Sequence, residues 1–312
     1  MLHLLLSYPI SQSHYPSFPA SHELQFPPVL QTILNFSFYS LRIIIALLIH
    51  LNIILLQNNT FFGHSNAQNV IVLTETTSTN DYLKQLLSNF TPLEEYTAIM
   101  AIKQTAGKGQ RGTTWIDRPG ESLTASFILF PQKLTPQKNF YLTIISSLAV
   151  YDIVSIHIPL EVRIKWPNDI MIGNKKVGGI LIENKISHSQ IKHAVVGIGL
   201  NVFQSQFPSE ISFKTTSLHK ENPLLQKTIL SLVTEIQTKL KFYNEMLLKE
   251  QYDELLTRYN QLLFRRNLNA LFTVNGKTLE ARIVQVCEDG LLEMEYRQEK
   301  LKYDLKDITY QL

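Results

Sequence analysis

Lys165-Trp166-Pro167-Asn168-Asp169, the turn pair Gly173-Asn174, and Lys175-Lys176-Val177-Gly178-Gly179-Ile180-Leu181-Ile182-Glu183 together decide the reading of this chain. Val162 to Lys165, Asp169 to Ile172 and Lys176 to Glu183 read as strands. They are short apolar runs punctuated by turn residues. His193 to Asn201 reads as a further strand, with glycines that let another group approach its backbone. Upstream, Val70 to Leu73 fits a strand and Asn80 to Phe90 an amphipathic helix with Leu83, Leu86 and Leu87 on one face. Ser78 or Thr79 can cap that helix, and Pro92 lies just past its end. Thr97 to Lys103 and Ser122 to Phe130 follow as strands, and Leu142 to Ile156 as a buried helix. The pattern is that of an α/β domain whose sheet supplies the site. Leu224 to Tyr259 reads as one long lysine-rich helical region. From Leu271 to Leu312 the chain breaks into short strands with Asn275-Gly276 and Asp289-Gly290 pairs, strong hairpin signals that predict a small antiparallel barrel.

The 312 residues are 45% hydrophobic and 18% charged, a globular composition large enough for a catalytic domain and a smaller one. A net charge of +3 gives no extended basic field, so charge does not argue for nucleic acid. Cys287 is the single cysteine, which excludes an internal disulfide framework and any CxxC metal site and fits a reducing, cytoplasmic compartment. Nine histidines include no HExxH or HxH pair, so no structural zinc is expected.

Met1 to Asn66 differ from all that follows, with scattered prolines and an apolar run, residues 41–56, that is a weak membrane-span candidate interrupted by Arg42, His50 and Asn52. The extension carries no helix-turn-helix pattern. We expect it to lie outside the fold, with a catalytic domain over 67–265 and a small domain over 266–312. Attachment to a membrane through residues 41–56 stays open at this point.

Three groups carry chemistry. The loop Gly107-Lys108-Gly109-Gln110-Arg111-Gly112 combines glycines, whose amides can face phosphate oxygens, with two cations. Taken alone it reads equally well as a solvated turn. It is not a P-loop, and no helix follows to complete a dinucleotide fingerprint. In the Lys165 to Glu183 stretch, Asp169 can neutralise a cation or hold magnesium beside a nucleotide, and Lys176 can reach a carboxylate or phosphate at the strand edge. Gly197 and Gly199 alternate onto one face of the last strand and leave a slot for a flat ligand, with the Asn201 amide beyond it.

Glu75-Thr76-Thr77-Ser78-Thr79-Asn80, Gln104 to Gly112, Lys165 to Asp169, Lys176 to Glu183 and Gly197 to Asn201, in that order, resemble the biotin-protein ligases, in a monofunctional form without a DNA-binding domain. The resemblance implies a mixed sheet packed on helices, like a class II synthetase, with a C-terminal SH3-like barrel. Ser78, Thr79 and Asn80 would bind the ureido ring of biotin, with Gln104 in the same pocket. Lys108, Gly109, Gln110 and Arg111 would close over carboxylate and phosphates, Trp115 would pack near the adenine, and Asn201 would contact the nucleotide. Lys176 would hold the biotinyl carboxyl and the α-phosphate beside Gly179. The family usually has Arg at Lys108 and often at Gln110. Lysine keeps the charge without the bidentate fork, and Gln110 puts one contact in doubt.

The implied reaction uses ATP and Mg2+ to convert biotin to its adenylate, then transfers biotin to a lysine of a biotin carboxyl carrier protein. Lys176, Asp169 and Arg111 are the catalytic candidates, and catalysis rests on positioning and electrostatics. Asp169 either anchors the metal or assists the amine. Family members often pair through the sheet, so a homodimer fits the resemblance. Lipoate ligases and octanoyltransferases are disfavoured because their Arg-Arg-x-Gly-Gly-Gly segment is absent. A DNA-binding repressor is disfavoured by the missing helix-turn-helix, and a non-catalytic binding or membrane-attached protein by the intact lysines.

Overall fold

Eight strands in the order β1-β2-β3-β4-β8-β7-β6-β5 form the main sheet of the computed structural model, which describes residues 61–65, 69–89, 92–187 and 189–311. They are β1 Phe61–Ser65, β2 Val70–Thr76, β3 Ala98–Gln104, β4 Ser122–Leu129, β5 Val162–Lys165, β6 Asp169–Ile172, β7 Lys175–Ser187 and β8 Gln190–Asn201. β2 and β3 run parallel and every other neighbouring pair antiparallel, so the sheet is mixed. Two features depart from the sequence reading. β7 and β8 run on past Glu183 and begin before His193 to form one long hairpin, and β1 pairs with β2 inside the segment expected to lie outside the fold. The sheet therefore begins upstream of the boundary drawn at residue 66. Backbone pairing made β1 a strand where its sequence gave no clear signal. The apolar run at 41–56 lies outside the described residues.

Alternation along the strands separates two cores. Leu73, Ile99, Ala101, Ile128 and Val195 face one side, where Leu83 of helix α1 (Thr79–Ser88) joins them. Phe127, Leu129, Ala194 and Val196 face the other and meet helix α2 (Phe140–His157), which packs in turn on α3 (Ile229–Leu248) and α4 (Tyr252–Gln261). α2 is long and apolar enough to cross a membrane, but two thirds of it is buried inside the protein, as suits a core helix. The helical region expected over 224–259 is broken between α3 and α4, where Glu250 takes φ +56°. Thr228 starts α3 by accepting from the Ser231 amide.

Beyond α4, β9 Asn269–Val274, β10 Lys277–Val286, β11 Leu292–Tyr296, β12 Glu299–Tyr303 and β13 Ile308–Tyr310 pair antiparallel in the order β12-β11-β10-β9-β13. The expected barrel is here a five-stranded antiparallel sheet with β12 and β13 at its edges. Asn275 and Gly276 both have positive φ, as a two-residue hairpin turn requires. Arg297 and Gln298 make the same turn between β11 and β12 without a glycine, which is why sequence did not mark it. The small sheet is tied to the Lys165 to Asp169 motif: the Trp166 indole donates to the Gly290 carbonyl (3.0 Å), and the Tyr259 hydroxyl of α4 donates to the Pro167 carbonyl (2.6 Å).

Candidate functional site

The face that carries α1 also carries the site. Register places Ser126 of β4 opposite Gly197 of β8 and Leu181 of β7, and Thr124 opposite Gly199 and Gly179; Gly179 in turn lies opposite Asp169 of β6. All of these positions share one side of the sheet. Above them opens a cleft of about 670 Å³.

One end of the cleft is a network of neutral polar groups. Ser78 caps α1, accepting from the Asp81 amide, an arrangement worth about 1 kcal/mol to a helix. The cap fixes the first turn, so Thr79 and Asn80 point inward and are buried. Gln104 Oε1 accepts from the Thr79 amide (2.8 Å) and hydroxyl (3.2 Å), and the Ser126 hydroxyl donates to Asn80 Oδ1 (2.6 Å). Asn80 Nδ2 donates to Glu183 (2.7 Å), whose other oxygen accepts from Lys84 (2.6 Å). Both sides of the Asn80 amide are thus spoken for, which sets its orientation.

The other end holds a carboxylate between two cations. Asp169 receives Lys165 on Oδ2 (2.8 Å) and Lys176 on Oδ1 (2.5 Å), with its side chain 16% exposed. Burial works against its ionisation, but Lys176 and Lys165 outweigh that and hold the carboxyl below the usual range. A β-bulge brings Lys176 into place. Residues 176 and 179 would face opposite sides of an unbroken strand, but Met171 pairs with Lys176 while Ile170 pairs with Gly178, leaving Val177 extra. Lys176 and Gly179 therefore share a face. The missing Gly179 side chain makes room for the lysine: a Cβ there would lie 3.1 Å from its Nζ.

The glycine-rich loop arches over this floor with Arg111 at φ +54°. Its cations are already engaged: Lys108 pairs with Asp81 (2.6 Å) and Arg111 with Asp304 of the small sheet (3.3 Å). Burial alone would raise the Asp81 pKa, but Lys108 and Lys84 outweigh it and hold it down. The expected slot at Gly197 and Gly199 is also filled from within. A Cβ on Gly197 would strike the Asn80 amide, and one on Gly199 would come within 2.5 Å of the Trp115 indole. These glycines accommodate the protein's own side chains, which form the surface a ligand would meet. Both side chains reach β8 from segments distant in sequence, contacts that strand alternation does not encode. Gln110 carries no charge and lines the cleft with Gly109. Asn201 is buried, donates to the Thr216 carbonyl (3.0 Å), and keeps Oδ1 without a partner among the described residues.

Because the loop's ion pairs are exposed, each is worth at most about 1 kcal/mol and should open readily. Trypsin is expected to cut after Lys108 and Arg111 in the ligand-free protein and to be blocked when a phosphate-bearing ligand fills the cleft. Equal cleavage under the two conditions, read by mass spectrometry, would count against closure of this loop.

Two walls of the cleft consist of residues to which the sequence assigned no site role. Phe207, Ile211, Lys214 and Thr215 form one, and Leu305, Lys306, Ile308 and Tyr310 of the small sheet the other, where Lys165 Nζ lies 5.4 Å from the Tyr310 ring centre. In all, six cations line the cleft (Lys108, Arg111, Lys165, Lys176, Lys214 and Lys306) against one carboxylate, Asp169. That imbalance suits a polyanion. No cluster of three metal-ligating side chains occurs among the described residues, and both Asp169 oxygens are engaged by lysines.

Asp117, in the loop after Trp115, has a buried Oδ2 without a partner among the described residues, and burial pushes its carboxyl up to about 6. A carboxyl raised on folding holds its proton longer in the folded state, so it subtracts stability as pH rises from about 4 to about 6, and the loss persists above that. Asp117→Asn should raise stability at pH 8 by on the order of 1 kcal/mol, after discounting for partial exposure. Thermal melts across pH check this; parallel wild-type and variant curves would contradict it.

Residues 72–201 match the profile of the Biotin/lipoate A/B protein ligase family. The chain is similar to the bifunctional ligase/repressor BirA of Bacillus spizizenii, 35% identical over 153 residues that make up 48% of this chain and 46% of that protein. It is also similar to the biotin--[acetyl-CoA-carboxylase] ligase of Paracoccus denitrificans, 34% identical over 106 residues, 33% of this chain and 43% of that one. The chain thus spans about half the length of the curated relatives it matches. Its fold is similar to that of the biotin protein ligase from Aquifex aeolicus solved in complex with biotin and ATP, with a TM-score of 0.66 and 22% identity over 78% of this chain and 99% of that one.

Proposed function

We propose that this chain, whose residues 72–201 match the profile of the Biotin/lipoate A/B protein ligase family, is a biotin-protein ligase that makes biotinyl-adenylate from biotin and ATP and passes biotin to a lysine of a carboxyl carrier domain. One observation carries the reading: a single cleft joins a neutral hydrogen-bonding pocket at Ser78, Thr79, Asn80 and Gln104 to a cationic end at Lys165, Lys176 and Asp169. A ligand with a polar ring and an acid tail spans such a cleft. Its ring would displace water from groups already oriented, and its carboxylate would arrive beside Lys176.

The residues act by placement. Lys176 holds carboxylate and α-phosphate close despite their like charge, Lys108 and Arg111 exchange their protein carboxylates for ligand oxygens, and Trp115 presents its ring to the base. Asn201 Oδ1 is an acceptor for a donor on the nucleotide. Asp169, kept ionised between two lysines, is a positioning residue for Lys176. A carboxylate so engaged has no free oxygen for a metal and little appetite for a proton. Magnesium would come with the nucleotide as part of the substrate, held through phosphate oxygens and water.

The test is incubation of the full chain with biotin, ATP, Mg2+ and a carrier domain, followed by mass spectrometry of the carrier. A biotin-sized increment that requires ATP supports the reading. An unmodified carrier, or equal modification by lipoate or octanoate, overturns it.

A further inference from the structure

Four of the six cleft cations are already matched to carboxylates: Lys165 and Lys176 share Asp169, Lys108 has Asp81, and Arg111 has Asp304. Lys306 forms no ion pair among the described residues, but it is exposed, in a turn where its backbone amide donates to Asp304 (3.1 Å). Lys214 is different. It lines the cleft half-buried, no carboxylate lies within ion-pair reach of it among the described residues, and its ammonium is 5.4 Å from the centre of the Phe213 ring.

Its backbone is fixed beside the reacting lysine. The Lys176 amide donates to the Lys214 carbonyl (2.8 Å) and the Thr216 amide donates to the Lys176 carbonyl (2.9 Å), so residues 214–216 run as a parallel partner to the bulged end of β7. The Asn201 amide grips the same segment at the Thr216 carbonyl. A cation on so firmly held a backbone, uncompensated in a cleft, is placed to meet an anion that Lys176 does not itself neutralise.

Resting on the ligase reading, we infer that Lys214 is the binding residue for the leaving pyrophosphate, the β- and γ-phosphate end of the nucleotide. In the reaction the biotin carboxylate oxygen forms a bond to the α-phosphorus. The bond from that phosphorus to the bridging oxygen breaks, and the oxygen departs on the β-phosphate with the electron pair. Negative charge grows on the departing group as it does so. Lys176 is occupied by the two groups being joined, and Lys214 is the neighbouring cation free to receive the group being expelled.

The experiment uses inorganic pyrophosphate as probe, titrated calorimetrically with Mg2+ into the full-length wild type, Lys214→Ala, Lys214→Arg and, as a control, Lys241→Ala on the exposed side of α3. Steady-state adenylation by the same proteins runs in parallel. Lys214→Ala should weaken pyrophosphate binding and raise the KM for ATP by roughly 10- to 100-fold, the effect of one charge-assisted contact. The KM for biotin should stay within about twofold. Lys214→Arg should recover most of the loss, and Lys241→Ala should match wild type. Equal pyrophosphate binding by wild type and Lys214→Ala, or none by wild type, overturns the assignment. Pyrophosphate binding that depends on Lys214 in a protein that forms no biotinyl-adenylate would instead uphold this anion site and overturn the ligase reading.

Discussion

Replacing Lys176 with alanine is expected to lower the rate of biotinyl-adenylate formation by about 10²- to 10³-fold, the usual cost of removing one preorganised charge from a reacting centre. The fold should survive, because Asp169 keeps Lys165 at 2.8 Å and the contacts of 176 to residues 214–216 are made by backbone. The loss should fall mainly on kcat, since the lysine matters most when carboxylate and phosphate are forced together. Lys176→Arg should rescue little. The lysine occupies space cleared by Gly179, whose missing Cβ would stand 3.1 Å from Nζ, and the broader guanidinium does not fit there in the same pose. Single-turnover adenylation, with melting temperature as the folding control, checks the result. Near-normal adenylate yield from Lys176→Ala would remove Lys176 from the chemistry.

Gly197→Ala should cost nearly as much by a different route. The added methyl falls on the Asn80 amide, which cannot yield without breaking its bonds to Ser126 and Glu183. Moving Asn80 tilts the first turn of α1 and with it Thr79, so biotin affinity should drop by on the order of 100-fold, as misplacements of about 1 Å commonly cause. The KM for biotin should rise while that for ATP changes little. Gly199→Ala should be milder, because the Trp115 ring it meets belongs to a loop that can shift. If Gly197→Ala binds biotin normally, the pocket is not built on Asn80.

The residues of the site were legible in the sequence to the extent that they lie in contiguous motifs. Ser78, Thr79 and Asn80 announce themselves as a helix start, and Lys165 to Asp169 and Lys176 to Glu183 as strands flanking turns. The relations between those motifs were not legible. Asp169 looked like a metal or base candidate because no spacing rule brings Lys176 back across a bulge to meet it. Gly197 and Gly199 looked like an open slot because the groups that fill it, Asn80 and Trp115, are far away in sequence. Lys214 and Tyr310 lie outside the residues that the sequence assigned to the site and reach the cleft only through tertiary packing. The expected barrel has the predicted hairpins, but its curvature and edges depend on packing that hairpin signals do not encode.

Tyr310 closes one side of the cleft from β13, a three-residue edge strand held to β9 by three register pairs and by ring contacts of Tyr310 with Phe264 and Phe272. Short edge strands open at a fraction of the free energy that global unfolding requires. The eight-stranded sheet can thus remain intact while the wall above Lys165 is lost. Heat or mild denaturant would then silence the protein well before its main melting transition, and preparations that look folded by circular dichroism would differ in activity according to how completely this last strand is seated.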